Sequence, residues 1–91
     1  MSTRITYTKT FEKQLSKCPR NIQTKAIVWI STVEKYGLGE VRTKPSYHDE
    51  PLRGQRKGQR AIRLSRSYRL IYTEIDKEVH IELLEVHKHD Y

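Results

Sequence analysis

Cysteine is almost missing from this sequence: among 91 residues only Cys18 carries a thiol. One thiol closes no internal disulfide and builds no cysteine-rich metal site, so the fold must rest on packing, and a reducing compartment is expected. Long apolar runs are missing too. The longest, Ala26 to Ile30, spans five residues, against the roughly 20 that cross a bilayer. No membrane span is therefore expected. The N-terminal stretch MSTRITYTKTF has no apolar segment behind its basic residues, so no secretory signal is read and the cytoplasm is the expected compartment. Acids are absent from the whole stretch between Arg53 and Arg69, and they return in the stretch from Glu74 to Glu85, at Glu74, Asp76, Glu78, Glu82 and Glu85.

What is present is charge. Lysine and arginine number 18 against 11 acids, for a formal net charge of +7 and a sequence pI near 9.7. Such a balance points to a polyanionic partner, with nucleic acid, ribosome, an acidic protein or anionic lipid as the classes that fit. Hydrophobic residues make up 35% of the chain, and their periodicity is regular enough to exclude disorder. At this length one domain, 1–91, with one thin core is expected, burying about 60 to 65% of the unfolded surface.

The periodicity changes along the chain. Arg4 to Tyr7 alternate as a short strand, and Thr8 is placed to cap a helix running to Cys18 with Phe11, Leu15 and Cys18 on its apolar stripe. Pro19 ends that helix and suits the first turn of the next, where Ile22, Ala26, Trp29, Ile30 and Val33 form a continuous stripe up to a stop at Gly37. Leu38 to Pro51 shows no sustained period and reads as a loop. Beyond Gly58 the period becomes two, with Ile62 and Leu64 on one face and Ala61 and Arg63 on the other. A Ser65-Arg66-Ser67 turn leads to a strand from Tyr68 to Ile75, and an Asp76-Lys77-Glu78 turn leads to a last strand from Val79 to His87, with Val79, Ile81 and Leu83 on one face. The expected class is α+β, in the order β-α-α-β-β-β, with an antiparallel sheet and the helical hairpin packed on one face.

Metal-free cleavage of RNA needs a base near the ribose 2′-hydroxyl, an acid for the leaving 5′-oxygen and fixed cations for the charge gathering on phosphorus. Glutamate and histidine suit the first two roles, and arginine's planar fork suits the third. Glu50 stands at the entry to the sheet, Arg63 and Arg69 flank a tight hairpin, and His87 and His89 follow the final strand.

These residues occur within segments that together resemble the RelE/ParE superfamily of toxins from bacterial toxin-antitoxin pairs. The segments are Glu50-Pro51-Leu52-Arg53-Gly54, Lys57-Gly58, Ile62-Arg63-Leu64, Tyr68-Arg69-Leu70-Ile71-Tyr72 and His87-Lys88-His89-Asp90-Tyr91. They follow the order found in the family, most closely in its RelE, YoeB and YafQ branch of ribosome-dependent messenger RNA nucleases. The resemblance implies Glu50 as an acid-base group, Arg63 and Arg69 as phosphate ligands, His87 or His89 as the C-terminal proton-transfer residue, and Tyr91 as an aromatic that stacks on a base or assists proton transfer. Arg53, Arg56, Lys57, Arg60, Arg66 and Lys88 are the expected RNA-binding cations. The resemblance also implies cleavage in the ribosomal A site by 2′-hydroxyl attack, no cofactor and no metal, and a cognate antitoxin that binds this chain directly.

Competing readings stay open at this level. The ParE branch shares the fold and inhibits DNA gyrase, and a binding module without catalysis would need only the cations; the acid-base set of Glu50 and the paired histidines favours the nuclease branch. Arg69 reads equally as the ion-pair partner of Glu82 or Glu85 on the neighbouring strand. Tyr68 and Tyr72 read as packing residues and Trp29 as core. Lys9, Lys13, Lys17, Arg20 and Lys25 either solubilise the helices or contact ribosomal RNA phosphates.

Overall fold

The computed structural model describes residues 2–89. The chain begins with strand β1 (Arg4–Tyr7) and helices α1 (Lys9–Ser16) and α2 (Arg20–Tyr36). A short helix α3 (Leu38–Arg42), a 3-10 turn over Pro45–Tyr47 and a two-residue strand β2 (Glu50–Pro51) follow. After a second 3-10 turn, Gly54–Arg56, come β3 (Gln59–Arg63), β4 (Tyr68–Asp76) and β5 (His80–Lys88). The strands lie in the order β1-β5-β4-β3-β2 in one sheet.

The α+β class and the one-sided helical layer are as expected, but the sheet is not wholly antiparallel. β2 through β5 pair antiparallel, whereas β1 runs parallel to β5. Short turns force consecutive strands to run antiparallel. β1 is not bound by that rule, because the helical pair intervenes and returns the chain to the far edge. The stretch from Leu38 to Pro51 is also more ordered than a loop. Leu38 and Val41 both bury their side chains in the core, giving α3 an inward face at i, i+3 spacing too brief to register as a period.

Caps and stops follow the local chemistry. The Thr8 hydroxyl accepts from Phe11 N at 3.0 Å and so satisfies one free amide of the first turn of α1. Gly37, at φ +91°, ends α2 with its N–H on Val33 O at 2.8 Å, in a backbone region that glycine enters without the cost a Cβ would add. Thr3, buried despite its hydroxyl, donates to Glu78 O at 2.6 Å and accepts from Leu38 N at 2.8 Å, joining the start of β1 to α3 and to the β4–β5 turn.

The core lies between the helices and one face of the sheet. Phe11, Ile22, Ala26, Trp29 and Val33 pack on the row formed by Ile62, Leu70 and Val86, with Tyr72, Ile81 and Leu83 beside it. Trp29 and Tyr72 meet with ring centroids 5.5 Å apart in a tilted arrangement, which adds to the area each buries.

β5 departs from strict alternation at one position. Tyr72 pairs with Leu83 while Ile71 pairs with Glu85, so Leu84 is an extra residue on β5. This β-bulge resets the alternation: Leu83 and Val86, three residues apart, both point into the core. The start of α1 holds the bulge, with Thr8 N on Leu83 O at 3.0 Å and the Thr8 hydroxyl donating to Leu84 O at 2.9 Å. Gln14 of the same helix accepts from Val86 N at 2.8 Å.

Because Trp29 is 1% exposed and packs within the core cluster, Trp29→Ala is expected to cost about 3 to 5 kcal/mol. Urea unfolding followed by circular dichroism measures this directly.

Candidate active site

The face of the sheet turned away from the helices is where the chemistry-bearing side chains gather. Two cross-strand rows define it. Glu50 pairs with Ala61, Ala61 with Ile71 and Ile71 with Glu85; next to that row, Arg63 pairs with Arg69 and Arg69 with His87. The row between them in sequence, Ile62, Leu70 and Val86, is fully in the core, so both outer rows must face the opposite way. Residues scattered over 38 positions of sequence, 50 to 87, thus share one surface.

Glu50 on β2 and His87 on β5 are three strand intervals, about 14 Å, apart across the sheet, and two residues out of register along it, because the residue in Glu50's own row is Glu85. Arg63 and Arg69 stand on the two strands between them. Arg69 does not pair with Glu82 or Glu85. Its Nη1 donates to the carbonyls of Ser65, Arg66 and Tyr68 at 3.0, 3.3 and 3.3 Å, which stiffens the β3–β4 turn and holds the guanidinium at the end of the row.

His87 is the histidine that the ladder places beside Arg69. Its Nδ1 lies 3.2 Å from Lys88 O and its Nε2 lies 3.5 Å from Glu85 Oε1. His89 stands beyond the strand end, where its N–H is held by Ser67 O. Tyr91 lies outside the described residues. Among the described residues no group of three histidine, cysteine or carboxylate side chains is gathered as metal ligands would be.

The expected RNA-binding cations separate into two kinds. Arg53, Lys57, Arg66 and Lys88 are exposed. Arg56 instead reaches over the open face, with its Nη1 on Gln59 Oε1 and its Nη2 on Glu85 Oε2, both at 2.8 Å. Ala61 and Ile71, on that same face, are buried. Arg60 is turned to the helical side, where its Nε donates to Asp49 Oδ1 at 2.6 Å. Neither guanidinium is an uncompensated charge. Sequence reading missed Glu85 and Asp49 as their partners, since no local spacing links residues 29 and 11 positions apart.

Asp49 anchors the strand that presents Glu50. Its carboxylate is 1% exposed and accepts from Arg60 and, at 2.6 Å, from the Tyr72 hydroxyl. Arg42 of α3 approaches that hydroxyl at 3.4 Å and pairs with Glu74 at 3.0 Å. β2 is only two residues long, and an edge pair so short would hold its position poorly by ladder bonds alone. With Asp49 drawn under the sheet, alternation turns Glu50 to the open face.

Burial, and then the Asp49 carboxylate beside it, push the Tyr72 phenol well above its usual range. A phenol raised in this way favours the fold below the unfolded value of about 10, and that contribution is lost as pH rises through the folded value. The wild type is therefore expected to lose stability between about pH 10 and pH 11 more steeply than Tyr72→Phe, by up to about 1.4 kcal/mol per pH unit. Urea midpoints across that range give the two slopes. At neutral pH, Asp49→Ala leaves Arg60 without its buried partner and is expected to cost about 3 to 5 kcal/mol, read from the same unfolding curves.

By sequence alone, no family model and no curated protein matches the chain. Solved structures do match. YafQ from E. coli strain BL21(DE3) superposes with a TM-score of 0.76 at 19% identity, covering 94% of this chain and 92% of that one. A chain of the RelBE2 toxin-antitoxin complex of Mycobacterium tuberculosis gives a TM-score of 0.67 at 25% identity, covering 98% and 100%. A chain of the archaeal RelE-RelB complex from Pyrococcus horikoshii OT3 gives 0.74 at 23% identity, covering 97% and 96%. The five-stranded sheet with its helices on one face is thus the fold of the RelE, YoeB and YafQ toxins.

Proposed function

We propose that this chain is the toxin of a type II toxin-antitoxin pair and that it acts as an endoribonuclease on messenger RNA in the ribosomal A site. The observation that carries the reading is the cross-strand row Arg63, Arg69 and His87, flanked by Glu50, on the face opposite the helices. A gyrase-binding protein or a passive RNA-binding module has no need of an acid and a base at either end of two arginines.

In this reading Glu50 takes the proton of the ribose 2′-hydroxyl, and the freed oxygen attacks the adjacent phosphorus. The bond to the 5′-oxygen breaks, His87 supplies the proton that oxygen needs, and a 2′,3′-cyclic phosphate remains. Arg63 and Arg69 hold the non-bridging oxygens, whose charge grows towards the transition state; such fixed donors are worth more there than in the ground state. The ribosome presents the RNA strand in an oriented form, which removes much of the entropic barrier. His87 is preferred to His89 because it is the one paired with Arg69.

A cognate antitoxin is the second expected partner. The structural neighbours include toxin-antitoxin complexes, and a chain of net charge +7 suits an acidic mate that steers to it quickly.

A reconstituted translation assay with a defined message, read by primer extension, tests the nuclease. Wild type is expected to cut within the A-site codon, with Arg63→Ala and Arg69→Ala each slower by roughly 10²- to 10³-fold and Glu50→Gln and His87→Gln slower still. Gyrase inhibition in a supercoiling assay, with no cleavage by folded wild type, would replace this reading with the ParE-like one.

A further inference from the structure

An open pocket of about 630 Å³ lies around the unpaired end of β3, between α2 and the Pro45–Tyr47 turn. Thr24, Lys25 and Val28 of α2 form one wall, Ser46 and Tyr47 a second, and residues 63–66 the third. Arg63 therefore belongs both to this wall and to the row that carries the proposed chemistry. β2 covers β3 only at Arg60 and Ala61, so the sheet edge at Arg63 opens directly into the pocket.

Three observations bear on what would fill it. The volume falls within the roughly 300 to 1,000 Å³ of ordinary ligand sites. The wall combines apolar surface from Val28, Leu64 and the Tyr47 ring with hydroxyls from Thr24, Ser46 and Ser65 and charge from Lys25, Arg63 and Arg66; none of the described carboxylates lines it. The third is that Arg63 Nε is buried with no hydrogen-bond partner among the described residues, a state that native proteins seldom leave unanswered. A small rotation of that side chain towards a phosphate oxygen in the pocket would satisfy the donor.

We infer that this pocket is a subsite for one RNA nucleotide flanking the scissile phosphate: its base lies against Val28, Leu64 and Tyr47, and its phosphate is shared by Lys25 and Arg63. The inference rests on the proposed function for the direction of the strand, which runs along the open face and turns over the edge of β3. Flat apolar and aromatic walls accept any base face, hydroxyls reach base edges, and cations follow the backbone. Arg63 makes this pocket continuous with the proposed catalytic row, and walls that accept a base face favour RNA over an acidic peptide. Val28 is 51% exposed, so its methyl groups are open to a base.

Equilibrium binding tests the subsite without requiring catalysis. The probe is a fluorescein-labelled pentaribonucleotide with a 2′-deoxy sugar at the cleavable position, followed by anisotropy on the free protein. Val28→Glu places a carboxylate in the pocket. Ile27→Glu adds the same charge one residue away on the same helix, at a side chain 56% exposed and outside the pocket wall. Val28→Glu is expected to weaken binding tenfold or more and Ile27→Glu less than threefold, with both proteins retaining wild-type circular dichroism. Lys25→Gln is expected to lower the slope of log affinity against log salt by about 0.7, the share of one phosphate on a single strand. Equal losses in the two glutamate variants, or no loss in either, would overturn the subsite. So would an acidic peptide whose binding Val28→Glu abolishes while RNA binding is unchanged. A wild type that binds this RNA through Val28 yet cuts nothing on the ribosome would end the nuclease reading and leave the subsite standing.

Discussion

One extra residue in β5 decides which way Glu85 and His87 point. Strict alternation from Ile81 and Leu83 would carry Glu85 and His87 into the core and expose Val86. The bulge at Leu84 reverses that assignment, so that Val86 is buried and His87 lies beside Arg69. A bulge forfeits ladder bonds and persists only where something else holds the strand. Here α1 does so, through Thr8 at the two carbonyls of Leu83 and Leu84 and through Gln14 at Val86 N. The first helix thus orients a histidine more than 70 residues away without touching the site.

The opposite end of the site depends on a polar anchor. Asp49 sits almost wholly out of solvent, and burying a carboxylate is unfavourable unless it is paired and hydrogen-bonded. Arg60 and the Tyr72 hydroxyl supply both, and Arg42 extends the cluster to Glu74. The result is a short edge strand tied to the strongest part of the sheet. Glu50 remains exposed while its neighbour is locked, an arrangement that favours a positioned group with solvent access.

Charge on this molecule is sorted as well as abundant. Arg56 and Arg60 are neutralised by Glu85 and Asp49, and in a chain with seven basic residues and no acid between 53 and 69 both partners have to come from outside that run. Among the described residues Arg63 and Arg69 face no acid across the ladder: Arg63 pairs with Arg69 and Arg69 with His87. Like charges side by side on a sheet repel and weaken it. A bound phosphate, as in the proposed function, would relieve the repulsion as well as adding its own contacts.

Much of this was readable from the residues in order. The helical hairpin followed from the stripe Ile22, Ala26, Trp29 and Val33, the start of its first helix and the stop of its second from Thr8 and Gly37, and the three long strands from β-rich runs, with a period of two at Ala61 to Leu64 and Val79 to Leu83. Segments such as Glu50-Pro51-Leu52 and Tyr68-Arg69-Leu70-Ile71-Tyr72 carried the resemblance from which the fold and the candidate acid-base residues were expected. The parallel pairing of β1, the placing of His87 beside Arg69, and the partners of Arg56, Arg60 and Arg69 were not readable. Each depends on which strands become neighbours and in what register, and that is settled by burying one continuous core. Local sequence sets the period of an element, its ends and its chemistry. Only the packed sheet, with one bulge and one buried carboxylate, decides which of its faces that chemistry occupies.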